Sequence, residues 1–281
     1  LQVTFKVSQR RACHTLGVAR STVRYAPSSS ERDKQLVQTL HKLKCAHPEW
    51  GYRKMRSRLL ELGWHVSVNK VYRIWREHGW QCTRSTRRRK KAAGQTQNAC
   101  HIRKATRGNQ VWSVDFVKDR TMDGKPLKIL TVLDEYTREA VAIEIRRKMG
   151  QQDVRDILVK LFQTRGVPAV IRSDNGGEFA GQLIGEAMRA CGSDVALIAP
   201  GSPWQNGKNE RFNGILSQEV LSKELWGTVR EAQVVCNQWK QIYNEVRPHG
   251  SLGLRTPAEY AQHARDLGQW HHHLLDEALA M

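Results

Sequence analysis

Apolar residues recur at helical spacing through the first eighty positions of the chain, beginning with a short pair of segments. Residues 8–26 fit a helix-turn-helix in which Gly17 takes the turn. The apolar positions expected to face inward are Ala12, Leu16, Val18 and Val23. The outward positions of the second helix, expected to read a DNA groove, are Arg20, Ser21, Thr22 and Arg24. An ordinary helical hairpin is the alternative interpretation.

The same periodicity predicts three further helices, at residues 31–46, 52–62 and 68–78. Their expected buried faces are Leu36, Val37, Leu40 and Leu43; Tyr52, Met55, Leu59 and Leu62; and Val68, Val71, Tyr72 and Trp75. Basic residues cover the rest of the second helix, and the candidate DNA contacts there are Arg53, Lys54 and Arg56. Gly79 is the expected stop of the third helix.

From residue 110 the pattern changes from helical to extended. Strands are predicted at 111–117, 127–134, 139–146, 168–173 and 194–199. Helices are predicted at 152–165, 178–191, 203–222 and 231–246. Three consecutive strands followed by alternating strands and helices indicate a mixed sheet covered by helices, which is an α/β layer fold. Capping-box spacings at Ser202–Gln205 and Thr256–Glu259 support helix starts there.

Charge is distributed very unevenly along the chain. The formal net charge is +19, but residues 1–110 hold 25 Lys and Arg against 5 Asp and Glu, while residues 111–281 hold 21 against 22. Such clustering is typical of nucleic-acid binders; a merely solvated basic surface is the alternative. Residues 82–110 contain nine Lys or Arg and no acid, so they are predicted to be a linker that contacts DNA phosphates. The candidate contacts are Arg87, Arg88, Arg89, Lys90 and Lys91.

Several other classes of protein are disfavoured. The six cysteines show no CxxC spacing, which argues against a zinc site or a disulfide framework. No apolar run is long enough to span a membrane, and no signal peptide opens the chain. We therefore expect a cytoplasmic protein with no membrane partner. Because Leu1 is not an initiator Met, we expect a fragment, a processed form or the downstream part of a longer product.

Three carboxylates occupy positions where an acid is costly. Asp115 interrupts the apolar run in VWSVDF, Asp174 closes the apolar run Val167 to Ile171, and Glu210, separated from Asp174 by 35 residues, lies at the start of a predicted helix. Asp115 is expected on the first, central strand, Asp174 at the end of the fourth, and Glu210 beside them. Acids in such places are stabilised by a divalent cation. A structural ion pair is the alternative for two of them, but three in these contexts predict phosphoryl-transfer chemistry.

Three further acids, Glu178, Asp134 and Glu135, have simpler explanations than a part in this site. Glu178 lies four residues beyond Asp174 and is more readily explained by a helix start. Asp134 and Glu135 end a predicted strand and resemble turn residues. Arg247 and His249 fit either a DNA contact or a structural role.

The motifs VDF (114–116), SDNGGEF (173–179) and GSPWQNGKNERFNG (201–214) resemble the integrase core of retroviral-integrase-type DDE transposases. The segments 47–80 and 243–260 are similar to those of bacterial insertion-sequence members that encode a transposase in two overlapping frames, of which this would be the second. The resemblance implies a ribonuclease-H-like fold with Asp115, Asp174 and Glu210 as metal ligands. It also implies two Mg²⁺ ions, replaceable by Mn²⁺, which serve cleavage of element ends and strand transfer into target DNA. A ribonuclease-H-type nuclease, a DNA-binding regulator and an inactive remnant are the alternatives.

The resemblance also predicts partners and a division of the chain. The partners are double-stranded DNA (terminal inverted repeats and target), an upstream-frame protein or fusion, and further copies of the chain on DNA. The expected domains are a helix-turn-helix at 1–27, a helical DNA-binding domain at 28–81, a basic linker at 82–109, the catalytic core at 110–230 and a C-terminal helical extension at 231–281.

One position departs from the pattern of the family. Many relatives carry a basic residue seven positions after the glutamate, where this chain has Ser217. Lys208 and Arg211 flank Glu210 and are the candidate replacements for that phosphate contact. Trp204 and Gln205, in the preceding loop, are candidate contacts to target DNA.

Overall fold

The computed structural model describes residues 7–24, 31–81, 104–174, 176, 182–198 and 206–272. The chain divides near residue 82 into two compact units.

The N-terminal unit is helical. Its described helices are α1 (Gln9–Thr15), α2 (Arg20–Arg24), α3 (Glu31–Ala46), α4 (Tyr52–Glu61) and α5 (Val68–Glu77). The Ser8 and Ser67 hydroxyls accept hydrogen bonds from backbone N–H groups in the first turns of α1 and α5, as N-caps do. Gly17 and Gly79 have positive φ angles of 63° and 64°, so both glycines stand where the sequence places a turn or a stop.

The predicted buried faces of these helices are only partly correct. Seven of the expected apolar positions are buried: Ala12, Leu36, Leu40, Met55, Leu59, Val71 and Trp75. The prediction is wrong for Leu16, Val18, Val23, Leu62, Val68 and Tyr72, which are between 38% and 59% exposed. Most of these lie at or beyond helix ends, where a side chain has few neighbours, and Tyr72 lies at the surface against the ring of Tyr52.

The C-terminal unit is built on a mixed five-stranded sheet. Its strands are β1 (Val111–Arg120), β2 (Pro126–Asp134), β3 (Ala140–Arg146), β4 (Val170–Ser173) and β5 (Asp194–Leu197). The spatial order is β3-β2-β1-β4-β5, with the first three strands antiparallel and β4 and β5 parallel to β1. The prediction of a mixed sheet with the first strand at its centre is confirmed.

Helices cover both faces of this sheet. They are α6 (Gln151–Arg165), α7 (Gln182–Ala190), α8 (Gly207–Leu216), α9 (Val229–Gln241) and α10 (Pro257–Asp266), and short π-helical turns extend α8 over Ser217–Leu221 and α9 over Ile242–Val246. One apolar core lies between the sheet and α6 and α7, and a second lies between the sheet and α8 and α9. Because side chains alternate along a strand, Trp112 and Val114 enter the first core, while Asp115 points to the face covered by α8.

One detail of this unit follows a sequence signal. Thr256 and Glu259 form the predicted capping box at the start of α10, whereas the predicted cap at Ser202–Gln205 lies outside the described residues. After α10, Trp270 pairs with Gly108 just before β1, so the C-terminal segment is attached to the start of the central strand. None of the described helices is long and apolar enough to cross a membrane.

Candidate active site

Asp115 lies in the middle of the central strand and is half-buried. Its Oδ1 accepts a hydrogen bond from the backbone N–H of Phe116 (2.8 Å), and its Oδ2 accepts one from the side-chain amide of Asn213 on α8 (2.9 Å). The carboxylate is therefore held in one orientation by its own strand and by the helix that carries Glu210.

Thr131 sets the orientation of that amide. It lies opposite Asp115 on β2 and is fully buried. Its hydroxyl lies 3.0 Å from Asn213 Oδ1 and 3.2 Å from the Asp115 carbonyl oxygen, so it can donate to either acceptor. A hydroxyl that donates to Asn213 Oδ1 turns the amide NH₂ toward the Asp115 carboxylate.

The other two predicted acids stand on neighbouring elements. Asp174 directly follows β4, the parallel neighbour of β1, and is exposed; its Oδ1 accepts from the Gly176 N–H at 3.0 Å. Glu210 lies in the first turn of α8 and is also exposed. An acid is favoured there by the unpaired N–H groups of a helix start.

The other two acids act electrostatically on Asp115. Burial, with the negative charges of Asp174 and Glu210 acting in the same direction, raises the pKa of the Asp115 carboxyl to about 6. The hydrogen bonds from Phe116 and Asn213 lower that pKa and so offset part of the effect. Three carboxylates near one another thus carry a repulsion that a bound cation would relieve.

The donor chemistry of this set fits a hard divalent cation, because carboxylate oxygens are the ligands that Mg²⁺ prefers. The spacing is more open than that of a closed metal site. Among the residues that the structure describes, no three His, Cys, Asp or Glu side chains are arranged so that they could hold a metal ion. Asp174 and Glu210 therefore act on Asp115 from neighbouring elements, and the three described carboxylates do not form a compact ligand cluster.

A buried ion-pair cluster, formed by Glu135, Arg172 and Lys208, lies on the elements that carry two of these acids. The Glu135 carboxylate is 2% exposed; it accepts from Arg172 Nη1 at 2.5 Å and from Lys208 Nζ at 3.0 Å. Burial lowers the pKa of Lys208, while the charge of Glu135 opposes that change. Lys208, predicted to contact DNA, is thus paired within the protein; that role stays a prediction.

The other predicted DNA contacts fall into three groups. Those exposed at the surface are Arg20, Ser21, Thr22, Arg24, Arg53 and Arg211. Two are partly buried within the N-terminal unit: Lys54 lies over the Trp50 ring, and Arg56 donates to the Val66 carbonyl at 3.1 Å. Outside the described residues lie Arg87, Arg88, Arg89, Lys90, Lys91, Trp204 and Gln205, together with the rival acid Glu178.

Several residues with open alternatives have structural contacts. Asp134 is buried and accepts from the N–H groups of Asn109, Tyr136 and Thr137, as a turn residue does. Arg247 is 6% exposed and makes a two-pronged ion pair with Glu219 on the π-helical turn after α8. His249 meets the Tyr243 ring edge-on.

Sequence analysis missed Thr131 and Asn213 as contributors to the site. A signal for Asn213 was present, because residues three apart on a helix share a face and Asn213 is three after Glu210. No comparable signal marks Thr131, whose role depends on the pairing of β1 with β2.

The sequence of this chain matches known family models and proteins of insertion elements. Two family models described as integrase core domain match residues 105–203 and 192–257, and one described as HTH-like domain matches residues 29–91. The 31.7 kDa protein of insertion element IS407 from Burkholderia multivorans is 33% identical over 255 residues, which cover 91% of each chain. The 39.2 kDa protein of insertion element IS476 from Xanthomonas euvesicatoria is 32% identical over 92% of this chain and 74% of its own.

A solved structure shares the fold. A chain of the simian T-cell lymphotropic virus intasome, in complex with PP2A regulatory subunit B56 gamma, superposes with a TM-score of 0.51. The superposition covers 79% of this chain and 74% of the intasome chain, and the sequence identity is 16%. The predicted ribonuclease-H-like integrase core, preceded by helical segments, is confirmed.

Proposed function

Because this chain belongs to the integrase-core transposases of insertion elements, we propose that it cleaves the ends of its element and joins them to target DNA with Asp115, Asp174 and Glu210 as the acids of a Mg²⁺-dependent site. Mn²⁺ is proposed as a substitute ion. The observation that carries the proposal is the placement of the acids, with Asp115 in the central strand, Asp174 directly after the neighbouring strand β4 and Glu210 in the first turn of α8.

The proposal assigns each side chain a task. Asp115, Asp174 and Glu210 would hold two divalent cations, which when bound activate a water or a DNA 3′-hydroxyl and stabilise the leaving oxygen. Asn213 and Thr131 hold the Asp115 carboxylate in its orientation. The exposed positions of Asp174 and Glu210 leave their carboxylates accessible to cations and to a DNA strand.

DNA binding is proposed to rest mainly on the N-terminal part of the chain. Residues 1–110 carry nearly all of the excess positive charge, and the catalytic half is close to neutral. We assign the helix-turn-helix, the helical domain and the basic linker to element-end recognition and phosphate contacts, with the domain boundaries predicted above. An upstream-frame protein or fusion, and further copies of the chain on DNA, complete the proposed assembly, which acts on DNA in the bacterial cytoplasm.

The test incubates the full chain with labelled element-end duplex, target plasmid and Mg²⁺ or Mn²⁺, with and without the upstream-frame protein. Joined product is expected from the wild type and not from Asp174→Ala or Glu210→Ala. Asp156→Ala is the matched control, because Asp156 is an exposed acid on α6, which covers the face of the sheet opposite Asp115. This variant should join DNA like the wild type.

Other outcomes identify other functions. Binding without nicking or joining, even with the upstream-frame protein present, would contradict the proposal in favour of a regulator or an inactive remnant. Cleavage of RNA in a hybrid duplex, without joining of DNA, would favour a ribonuclease.

A further inference from the structure

We propose that Glu135 is a positioning residue that holds Asp174 and Glu210 in register by binding Arg172 and Lys208. This inference rests on the proposed function, because it concerns the geometry of the same site. Glu135 contacts neither the DNA nor the cations in this proposal, and acts only through its two basic partners.

The geometry that points to Glu135 is a pair of matched offsets. Arg172 on β4 precedes Asp174 by two residues, and Lys208 on α8 precedes Glu210 by two residues. One oxygen of Glu135 accepts from Arg172 and the other accepts from Lys208. A single carboxylate therefore joins the strand that leads to one acid to the helix that carries the other.

Glu135 is itself anchored to the strand of the third acid. It follows directly after β2, and its backbone N–H donates to the carbonyl of Val111 at the start of β1 (3.0 Å). The side chains of Arg172 and Glu135 are 7% and 2% exposed, so their pairing is screened little by water. Strand β1, strand β4 and helix α8 are thus connected at one buried residue, β1 through its backbone N–H and the other two through its carboxylate.

The burial of its ion pair indicates that Glu135 positions its partners and does more than contribute to stability. Buried ion pairs are costly to desolvate, and well-packed apolar residues often stabilise a fold as much or more. An acid that binds two basic side chains at once fixes the positions of both relative to each other. Partners that orient metal ligands change activity by about 10- to 100-fold when they are removed.

The competing role for Lys208 is a direct contact to DNA phosphate. The two roles predict different results, because a phosphate contact contributes to DNA affinity whereas a contact to Glu135 contributes to the rate of the bound complex. Lys208 is 30% exposed at its side chain, so both roles are open to measurement on the same residue.

The experiment measures the joining rate at saturating DNA and, separately, the Kd for element-end duplex. The variants are Glu135→Gln, Lys208→Met and the double variant, with Lys208→Arg as the conservative variant and Lys160→Met on α6 as an exposed control. Both single variants should lower the rate by about 10- to 100-fold, raise the Mg²⁺ concentration needed for half the maximal rate, and leave the Kd unchanged. The double variant should be no slower than the slower single variant, because both changes break the same link.

Opposite outcomes overturn the inference separately from the proposed function. If the wild type and Glu135→Gln join DNA equally fast, the positioning role is contradicted and the proposed function is not. A Lys208→Met variant that weakens DNA binding without slowing the bound complex would assign Lys208 to a phosphate contact. If thermal unfolding shows that Glu135→Gln does not fold, Lys208→Met and the expected recovery by Lys208→Arg decide the question. A wild type that joins no DNA would instead overturn the proposed function.

Discussion

At the scale of single residues, Glu210 stands between two polar links that fix its helix to the sheet. Two residues before it, Lys208 binds Glu135, and three residues after it, Asn213 binds the Asp115 carboxylate. Both links are formed by half-buried side chains of α8, while Glu210 itself is exposed. The helix therefore presents its acid to solvent without freedom to slide along the sheet.

The Thr131 hydroxyl gives a residue-scale prediction. Thr131→Val keeps the shape of the side chain but removes the donor that orients the Asn213 amide. We expect this change to slow DNA joining by about 10-fold, as is typical for the loss of a group that orients a ligand. The matched control Thr131→Ser keeps a hydroxyl and should join DNA at close to the wild-type rate. Equal rates for the Val and Ser variants would show that the hydroxyl has no part in the site.

The residues around the acids show where sequence reasoning stops. The positions of Asp115, Asp174 and Glu210 on their elements follow from strand and helix patterns, because Asp115 interrupts an apolar run, Asp174 closes one and Glu210 lies at a predicted helix start. Thr131 and Glu135 depend on which strands pair and in what register, which no local pattern contains. Their contacts span 82 residues along the chain in one case and 73 in the other.

At the scale of elements, the C-terminal segment is attached to the start of β1 through Trp270. The two residues that flank Trp270 form backbone hydrogen bonds with Gly108. The Gly108 N–H donates to the Gln269 carbonyl (2.9 Å), and the His271 N–H donates to the Gly108 carbonyl (2.8 Å). The guanidinium groups of Arg165 and Arg265 lie 5.3 Å and 4.0 Å from the centre of the Trp270 ring. This attachment fixes the beginning of the strand that carries Asp115.

A glycine substitution tests this attachment. A Cβ on Gly108 would lie 2.4 Å from the Trp270 ring, so Gly108→Ala is expected to lower the free energy of unfolding by about 1–3 kcal/mol through overpacking. Gly214→Ala in α8 is the control: apart from its chain neighbours and the backbone of its own helix, no atom lies within 4 Å of the added Cβ, and the change should stabilise the helix by about 0.5–1 kcal/mol. Denaturant unfolding measures both values. A loss at Gly108 that persists undiminished in a Trp270→Ala background would contradict the steric explanation.

Element boundaries were largely predictable from the sequence, whereas the environments of helix ends were not. Strands β1 to β5 begin within two residues of the predicted positions, because runs of apolar residues bounded by turns specify them well. Leu16, Leu62 and Val68 follow the correct helical period and are still exposed. Periodicity identifies the apolar side of a helix, but only the tertiary arrangement decides how far along its length another element covers that side.

At the scale of the whole molecule, charge and chemistry are divided between the two ends of the chain. The first 110 residues hold the whole basic excess, while the three acids lie on or beside a mixed sheet in the nearly neutral remainder. An integrase core with a helix-turn-helix-like region before it fits this division, since recognition of an element end and transfer of a phosphoryl group need different surfaces. Composition predicted the DNA partner, and the three acids predicted the chemistry.

The most direct test of the central claim measures how much Mn²⁺ binds to the full chain on element-end duplex. The paramagnetic resonance signal of the free ion reports this binding. The variants are Asp115→Asn, Asp174→Asn and Glu210→Gln, with Asp156→Asn as the control on α6. We predict that the wild type and the control bind Mn²⁺ equally, and that each of the three variants loses most of this binding because it removes one carboxylate donor. Binding by all three variants that matches the wild type would contradict the assignment of these acids to a cation site.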